Sequence, residues 1–279
     1  MTQSSLVRQQ RIGRHLRVIL DDPRRQNALS AQMVGEIDQI LDGSRDQGLA
    51  SLIIEGANGV FCAGADLKSL AELLARTPPP GEADALALAL YNRQGGLFFA
   101  RLNAHPLATI AIVDGAAFGG GMGLACCADI VIATSRARFA LSETSLGFPP
   151  AQIAPYLVAR LGERAARRLA LTGARLDGRE AAAIGLADFF CASKAERDAL
   201  LDTLLNDIGR CAPGANAAAK RLILAARAGA SDSYIDDAAQ SFAQSLRGAE
   251  GREGVAAFTE KRAAHWAQRV QWPRDSPQS

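Results

Sequence analysis

Two glycine-rich motifs hold the residues whose types and spacing most clearly predict chemistry. Phe-Cys-Ala-Gly-Ala-Asp-Leu at 61–67 and Phe-Gly-Gly-Gly-Met-Gly-Leu-Ala at 118–125 each follow an apolar, β-branched run and lead into a segment with helical patterning. Glycine lets a ligand approach the backbone, and unpaired N–H groups at a helix start attract negative charge. Two such turns can form an oxyanion hole, which stabilises charge developing on a carbonyl oxygen. A glycine triplet alone also suits close helix–sheet packing, so the pair of motifs carries the prediction.

The apolar patterning of the first two thirds of the chain indicates how these turns are positioned. Short β-branched runs predict strands, and apolar residues along one helical face predict a helix between the first two runs. The strand-like runs lie at 15–20, 52–54, 109–113 and 130–132, and the helical face is formed by Met33, Ile37, Ile40 and Leu41. This alternation is typical of an α/β fold, here a core of repeated strand–strand–helix units.

The last third of the chain has a different pattern. From 194 to 269 the sequence predicts only helices, interrupted near Pro213 and Gly229. We therefore expect an α/β core with the site over 1–193 and a helical subdomain over 194–279. These helices are short and rich in alanine, so we expect neighbouring subunits to bury their apolar faces.

The segment between the two motifs is restricted by proline. Thr-Pro-Pro-Pro-Gly-Glu at 77–82 cannot form a regular helix, because proline lacks the N–H donor and constrains the residue before it. We expect a mobile surface loop near the ligand at this point.

Composition argues against several classes of protein. A chain of 279 residues with 48% apolar content can bury a large core. Its 31 basic and 29 acidic residues give a formal charge of +2, which argues against a nucleic acid or an anionic membrane as partner. No apolar run reaches the roughly 18 residues that would predict a membrane span.

Cysteine and histidine usage argues against disulfides and metals. The five cysteines form no Cys-x-x-Cys pair, which disfavours a disulfide framework or a zinc ribbon and favours a reducing cytoplasm as location. His15, His105 and His265 are widely separated and form no ligand pattern with cysteine or carboxylates, so no metal site is expected.

The motifs taken together resemble the crotonase superfamily, the enoyl-CoA hydratases and isomerases. The likeness runs from about 16 to 266 and rests on Asp-Pro-Arg-Arg-Gln-Asn-Ala-Leu-Ser at 22–30, the motif at 61–67, the segment 114–125, Ala-Asp-Ile at 128–130 and Phe-Thr-Glu-Lys-Arg at 258–262. The resemblance implies a spiral of ββα units with a C-terminal helical trimerisation region, and a homotrimer or dimer of trimers. It also implies an acyl-CoA substrate and no separate cofactor, because CoA is part of the thioester.

The resemblance also assigns roles to individual residues. It implies that the N–H groups of Ala65 and Gly120 hold the thioester oxygen. The residues that it places around CoA are Arg24 and Arg25 near the nucleotide, Ala63, Ala65, Asp66 and Leu67 along the adenine and pantetheine, and Phe258 and Lys261 reaching the CoA of a neighbouring site.

Several of these residues have simpler interpretations. Arg24 and Arg25 would also suit a solvated turn, since charged side chains usually face water. Asp66 could cap the helix that begins beside it. Phe258 could be a core residue and Lys261 a solvated one.

One glutamate of the family's usual pair is missing. Enoyl-CoA hydratases typically use two glutamates, one to activate water and one to handle the proton at the α-carbon, and a buried pair can hold one protonated and one ionised member. Here the first position is Gly123 and the second is Glu143. We expect Glu143 to be the catalytic acid–base; a capping or surface carboxylate is the alternative. A single glutamate can also shuttle a proton between two carbons, an arrangement that enoyl-CoA isomerases resemble.

A narrower likeness favours hydration of a dicarboxylic substrate. The segment 143–156, with Pro-Ala-Gln-Ile-Ala-Pro at 150–155, resembles the glutaconyl-CoA hydratase branch. Within that branch it is closer to the isohexenylglutaconyl-CoA hydratases of acyclic terpene degradation than to the 3-methylglutaconyl-CoA hydratases of leucine breakdown. We expect the former substrate, with the latter, an isomerase, or a non-catalytic CoA- or RNA-binding module as alternatives. Near-zero net charge argues against RNA, and the retained Glu143 argues against an inactive binder.

The second carboxylate of such a substrate suggests a reason for the missing glutamate. Burying two ionised carboxylates side by side is costly, so Gly123 would remove a repulsion and make room for the substrate. A cation would then help to bind the substrate carboxylate, and Arg93, between the two glycine-rich motifs, is the candidate.

Overall fold

The structure is a computed structural model that describes residues 5–45, 47–76 and 82–274. The surface loop predicted at 77–82 lies outside the described residues except for Glu82, with which a helix begins.

Two sheets form the centre of the described chain. The six-stranded sheet has the order β1-β2-β3-β5-β7-β10, and the four-stranded sheet has the order β4-β6-β8-β9. The strands are β1 (Val7–Ile12), β2 (His15–Leu20), β3 (Ser51–Gly56), β4 (Val60–Cys62), β5 (Ala108–Val113), β6 (Ala116–Phe118), β7 (Ile130–Thr134), β8 (Arg138–Ala140), β9 (Arg175–Asp177) and β10 (Phe189–Cys191). Each of the pairs β3–β4, β5–β6 and β7–β8 places its first strand in the larger sheet and its second in the smaller one.

The larger sheet is parallel from β2 to β10, and only β1 pairs antiparallel with its neighbour. Strands of a parallel sheet covered on both faces are buried along almost their whole length, which is the pattern of β3 and β5. All four strands predicted from the β-branched runs, which became β2, β3, β5 and β7, are confirmed. The short strands β4, β6, β8, β9 and β10 were not predicted, because three residues are too few to show a period.

Helices separate the strand pairs and complete the C-terminal part. They are α1 (Ala31–Gly43), α2 (Leu67–Arg76), α3 (Glu82–Asn103), α4 (Gly120–Cys127), α5 (Ala154–Thr172), α6 (Gly178–Ala183), α7 (Lys194–Gly209), α8 (Pro213–Ala225), α9 (Asp232–Arg247) and α10 (Ala249–Thr259). Helix α1 begins where Ser30 accepts a hydrogen bond from Met33 N, and it buries the four residues of the predicted helical face. The spiral of strand–strand–helix units is thereby confirmed.

The C-terminal segment returns to the larger sheet. Trp272 is fully buried with Ile53, Ile110 and Leu201 in a hydrophobic cluster separate from the main core. Its backbone N–H donates to Asp202 on α7, and Arg17 of β2 stacks 4.8 Å above its ring. The predicted division at 193/194 stays a prediction, and this cluster joins the two parts.

Lysine 220 attaches the helical region to the core. Its ammonium pairs with Asp129 at 2.6 Å and donates to the carbonyl oxygens of His105 and Leu107, both at 2.8 Å. The helix breaks predicted near Pro213 and Gly229 are confirmed, since α8 begins at Pro213 and Gly229 adopts φ +94° after it. Among the described helices, none is both long and apolar enough to cross a membrane.

Candidate active site

Three loops meet at one edge of the smaller sheet. Strand β6 lies between β4 and β8 and runs parallel to both, with Cys62 paired to Ala117 and Phe118 paired to Ala140. The carboxyl ends of parallel strands share one edge, where open α/β folds bind their ligands. The segments that leave these ends are 63–66, 119–120 and 141–143, so the sheet itself brings together both glycine-rich motifs and Glu143.

The N–H groups predicted for the oxyanion hole lie side by side. A Cβ atom built on Gly120 would be 3.6 Å from Ala65 N, and one built on Gly64 would be 3.2 Å from Gly120 N. Gly64 adopts φ +95°, and a side chain there would lie 2.6 Å from Phe118 O, so glycine is needed for this approach. Leu29 holds the first loop by donating to Gly64 O at 2.7 Å. Two backbone donors are thus available at one point of the surface.

Glu143 follows β8 and lies directly against the second loop. The nearer of its carboxylate oxygens would be 2.9 Å from a Cβ atom on Gly119, whose φ of +50° combined with ψ of −120° also favours glycine. The side chain is buried, and Oε2 has no hydrogen-bond partner among the described residues. Burial raises the pKa of this carboxyl above its ordinary value. A partly desolvated carboxylate with a free oxygen is suited to accept and return a proton.

A cavity of about 320 Å³ opens beside Glu143, Ala65 and Gly120. Apolar groups form most of its wall, and its polar side chains come from α3 and from the loop before α5. The other lining residues are Leu29, Ala31, Val34, Tyr91, Asn92, Gln94, Gly95, Phe98, Phe99, Phe148, Pro149, Pro150, Ala151, Gln152 and Ile153. Among the described residues of this wall, Glu143 is the only carboxylate and no lysine or arginine is present.

Gly123 does not open space for a ligand. A Cβ atom on Gly123 would lie 2.2 Å from Cγ2 of Ile153 and 2.8 Å from its Cβ, so the isoleucine fills the place that a side chain at 123 would take. Ile153 lines the cavity, whereas Gly123 is buried behind it. This corrects the expectation that Gly123 makes room for substrate: glycine is required there by packing against Ile153.

Arg93 is not brought into the cavity. It lies on α3 with an exposed side chain, while its neighbours Asn92 and Gln94 line the wall. Successive residues of a helix point about 100° apart, so a residue between two lining positions can face away from the site. The expectation that Arg93 binds a substrate carboxylate in this cavity is therefore corrected.

A second, charged cleft adjoins the loop at 63–66. Its wall includes Arg24, Arg25 and Lys68, and its volume is about 570 Å³. Lys68 was missed from the sequence, although it directly follows the 61–67 motif. Since Ala65 faces the cavity and Lys68 faces the cleft, one short segment connects the two.

The turn at 22–30 is locked onto the loop that carries Ala65. Asn27 adopts φ +57°; its Oδ1 accepts from Asp22 N, and its Nδ2 donates to Val60 O at 2.7 Å. Ala63 N donates to the carbonyl oxygen of Gln26 at 3.1 Å. These bonds explain why the Asn27 turn and the glycine-rich loop occur together in this chain.

Asp66 has the structural role that the sequence left open as an alternative. It caps α2 by accepting from Ser69 N at 3.3 Å and from Ser69 Oγ at 2.7 Å, and it pairs with Arg25 at 3.4 Å. Burial raises the pKa of this carboxyl, but the Ser69 hydrogen bonds and the Arg25 charge together lower it by more. The net pKa shift is therefore downward. Beside it, Leu67 is exposed and Ala63 is half-buried.

Phe258 and Lys261 lie apart from this cavity in the single chain. Phe258, near the end of α10, is 86% exposed, which excludes the core role considered for it, and Lys261 follows in the left-handed region with φ +54°. Their predicted contact with the CoA of a neighbouring site stays a prediction.

Other reactive side chains outside the cavity have structural partners. His15 hydrogen-bonds with Ser51 and His105 with Leu41 O, and burial lowers the pKa of each imidazole to about 4. Burial raises the pKa of Cys62 and Cys126 to about 12, so both thiols stay protonated near neutrality. None of these four groups is available as a base or nucleophile at pH 7.

Comparison with known proteins gives one consistent result. The sequence model described as enoyl-CoA hydratase/isomerase matches residues 15–269. The solved structure of Pseudomonas aeruginosa AtuE is 44% identical, with a TM-score of 0.87 over 94% of this chain and 100% of that one. An enoyl-CoA hydratase/isomerase from Marinobacter aquaeolei is 37% identical, with a TM-score of 0.89 over 95% and 100% of the two chains. The mitochondrial enoyl-CoA hydratase domain-containing protein 2 of Mus musculus is 34% identical over 88% of this chain and 82% of its own.

Proposed function

This chain belongs to the enoyl-CoA hydratase/isomerase family, the crotonase superfamily, and we propose that it adds water to a branched glutaconyl-type enoyl-CoA, isohexenylglutaconyl-CoA in acyclic terpene degradation. The observation that carries the proposal is the Glu143 carboxylate, with Oε2 unpartnered, in one cavity with the backbone of Ala65 and Gly120. Addition of water to the double bond of an enoyl thioester requires an acid–base group and a pair of oxyanion donors.

The reaction proceeds through an enolate-like state. The thioester oxygen accepts hydrogen bonds from the N–H groups of Ala65 and Gly120, which stabilise the negative charge that develops there. Glu143 takes a proton from water as the water oxygen bonds to the β-carbon, and it then delivers a proton to the α-carbon. Water is the only reactant added, and Glu143 ends the cycle ionised as it began. Because one carboxylate serves both steps, both new bonds form on the same face of the double bond.

The walls of the cavity support a branched hydrocarbon substrate. Phe98, Phe99 and Phe148 contribute aromatic surface beside the aliphatic Leu29 and Val34. Burial of a hydrocarbon arm against such a wall is favourable by about 25 cal/mol for each Å² removed from water. An isohexenyl arm would use this wall, whereas the methyl group of 3-methylglutaconyl-CoA would leave most of it uncovered.

The CoA moiety occupies the charged cleft next to the loop at 63–66. Arg24, Arg25 and Lys68 supply positive charge for its phosphates. The short segment from Ala65 to Lys68 joins the thioester end of the substrate to its nucleotide end. Since CoA enters and leaves with the substrate, no resident cofactor is needed.

The working form is a homotrimer or a dimer of trimers. Apolar side chains on α8 to α10 are exposed in the single chain, among them Ile223 at 70%, Phe242 at 69% and Phe258 at 86%. Exposed apolar surface of this kind marks association sites. Analytical ultracentrifugation would give the mass directly, and a monomer at micromolar concentration would contradict this assignment.

Isomerisation is the second candidate function. It is favoured by the single carboxylate, since one base can remove a proton from one carbon and return it to another. The products of the two reactions differ in mass, because hydration adds one water molecule to the substrate and isomerisation adds nothing.

The test is steady-state kinetics with isohexenylglutaconyl-CoA, 3-methylglutaconyl-CoA, crotonyl-CoA and a 3-enoyl-CoA, each product being weighed by mass spectrometry. We expect the highest kcat/KM with the first substrate, a product heavier by one water, and loss of the activity in Glu143→Gln. Equal activity on crotonyl-CoA would contradict the substrate, a product of unchanged mass would contradict hydration, and full activity of the variant would contradict the mechanism.

A further inference from the structure

Two amide side chains form a hydrogen-bonded pair in the wall of the cavity. Gln152 Nε2 donates to Asn92 Oδ1 at 2.7 Å, joining the loop before α5 to helix α3. The oxygen of Asn92 is the acceptor of this bond, and its Nδ2 makes no hydrogen bond to another described residue. The pair therefore offers donors where a ligand in the cavity can reach them.

A glycine in α3 makes room for this pair. A Cβ atom on Gly96 would lie 2.2 Å from Gln152 Oε1 and 2.8 Å from its Cδ, so any side chain at 96 displaces the amide. Glycine inside a helix is less favourable than alanine by roughly 0.5–1 kcal/mol. The close approach of Gln152 to Gly96 fixes where the amide lies.

The charges of the cavity define what such donors could bind. Glu143 is the only carboxylate of the described wall, and no cationic side chain lies there. Lining polar groups other than Glu143 are neutral, namely the side chains of Tyr91, Asn92, Gln94 and Gln152. An anionic group of the substrate must therefore be held by neutral N–H or O–H donors, which form strong hydrogen bonds to a carboxylate.

We propose that the amide pair of Asn92 and Gln152 binds the second carboxylate of the glutaconyl-type acyl group. Asn92 Nδ2 donates to the carboxylate, and Gln152 holds the Asn92 amide in the required orientation. This inference rests on the proposed function and deepens it, since it names the residues that select a dicarboxylic substrate. It replaces Arg93 with a neutral site. Neutral donors suit this position, because a fixed cation beside Glu143 would stabilise the ionised carboxylate and lower the basicity that the reaction uses.

The first experiment compares two substrates that differ only in the carboxylate. Isohexenylglutaconyl-CoA carries a carboxymethyl group where 3,7-dimethylocta-2,6-dienoyl-CoA carries a methyl group. We expect Asn92→Leu and Gln152→Leu to lower kcat/KM for the dicarboxylic substrate by about 10- to 100-fold, the range of one to two hydrogen bonds to a charged group. The loss for the other substrate should be at least about tenfold smaller, because no donor is used there, so the ratio of the two kcat/KM values is the readout.

Two further variants separate the amide's role from folding. Asn92→Asp keeps the shape but replaces the donors with a negative charge, so we expect the ratio of kcat/KM for the dicarboxylic substrate to that for the other substrate to fall further than with leucine. Gln9→Leu, an exposed amide on β1, is the matched control and should leave both substrates unaffected. An unchanged ratio of the two kcat/KM values in all the Asn92 and Gln152 variants would overturn the inference.

Gly96→Ala tests the pair without altering either amide. The new methyl group displaces Gln152, while the helix gains propensity, so we expect an unchanged or raised Tm together with a loss of preference for the dicarboxylic substrate. Gly35→Ala is the control, since it makes the same change inside α1 where nothing lies within 4 Å of the new atom. Retained preference in Gly96→Ala would count against the pair.

The two proposals fail in distinguishable ways. A wild-type enzyme that hydrates both substrates equally would refute the dicarboxylic substrate and, with it, the role of the amides. A wild-type enzyme that prefers the dicarboxylic substrate, with variants that keep this preference, would refute the amide pair and leave the proposed function standing.

Discussion

Glu143 and Asp66 are both buried carboxylates at the same edge of the smaller sheet, yet their surroundings differ. Asp66 accepts two hydrogen bonds from Ser69 and pairs with Arg25, and its pKa is lowered. Glu143 has one oxygen without a partner, lies in a mainly apolar cavity, and has a raised pKa. Hydrogen bonds stabilise the charged form of the first, while burial destabilises that of the second.

Burial alone therefore does not predict whether a carboxylate is held ionised or can exchange a proton. A satisfied carboxylate holds a helix end and a turn together, and it has little tendency to take up a proton near neutrality. A carboxylate without hydrogen-bond partners is costly to keep ionised, so it can take up a proton and return it to a substrate. The smaller sheet brings both to one edge, and their hydrogen-bond partners distinguish the two.

The largest expected effect is a difference in kcat between variants of the two carboxylates. Glu143→Gln should lower kcat by about 10²- to 10⁴-fold, because the variant cannot accept or return a proton. Asp66→Asn should lower kcat by less than about tenfold, since it removes a cap and an ion pair but no reacting group. Steady-state hydration assays of both variants check this, and similar losses in the two would remove the contrast.

The next largest effect concerns the apolar wall beside Glu143. Gly123→Ala should reduce the free energy of unfolding by about 1–3 kcal/mol, because the new methyl group overlaps Ile153. Ile153→Ala removes the overlapping Cγ2, so it should cost less stability in the Gly123→Ala background than in wild type. Urea denaturation measures both, with Gly43→Ala as control, since nothing lies within 4 Å of its new atom. An unchanged midpoint for Gly123→Ala would show that the cavity wall yields and that Gly123 is not required by packing.

A smaller effect is expected on the stability of the satisfied carboxylate. Asp66→Asn should reduce the free energy of unfolding by about 1 kcal/mol through the weakened cap of α2. Thermal unfolding of the purified protein checks this, with Ser69→Ala as a second variant that removes the hydroxyl donor from the same carboxylate. A raised Tm in both would mean that Asp66 is held under electrostatic strain like Glu143.

The smallest effect is an opposite pH dependence of stability at the two sites. The pKa of Glu143 is raised on folding. Its contribution to folding stability is therefore present at low pH and is lost as pH rises through the pKa of the folded state. The pKa of Asp66 is lowered, so its contribution is present above the unfolded value and is lost as pH falls through the folded one.

The measurement is the free energy of unfolding of wild type, Glu143→Gln and Asp66→Asn from about pH 3 to about pH 8. Relative to wild type, Glu143→Gln should gain stability as pH rises, and Asp66→Asn should lose it. Parallel curves for the two variants would contradict the assigned shifts.

Much of the fold follows from local patterns. The β-branched runs of β2, β3, β5 and β7 and the helical face of α1 are long enough to show their periods, and they were predicted where they occur. The short strands of the smaller sheet and the return of Trp272 to the larger sheet have no local pattern. They form because distant segments pair or pack against them.

The candidate site divides in the same way. The backbone positions at Ala65 and Gly120 and the acid at Glu143 could be predicted, since motifs of fixed spacing accompany them. The expectations for Gly123 and Arg93 were wrong in geometry, because a sequence does not show that Ile153 fills the space beside Gly123 or that Arg93 is absent from the wall that Asn92 and Gln94 line. Lys68 was missed for a related reason, since a single lysine has no pattern of its own.

The family, the two glycine-rich turns and the single glutamate could be predicted without a structure, because these depend on residue types at fixed local spacing. The tertiary structure alone decided that three loops meet at one sheet edge and that Glu143 is left with an unpartnered oxygen while Asp66 is satisfied. It also decided that Asn92 and Gln152 meet in the wall of the cavity. The physical reason is that burial and hydrogen-bond partners come from segments far apart in the chain, and they set the charge and reactivity of a side chain more than its type does.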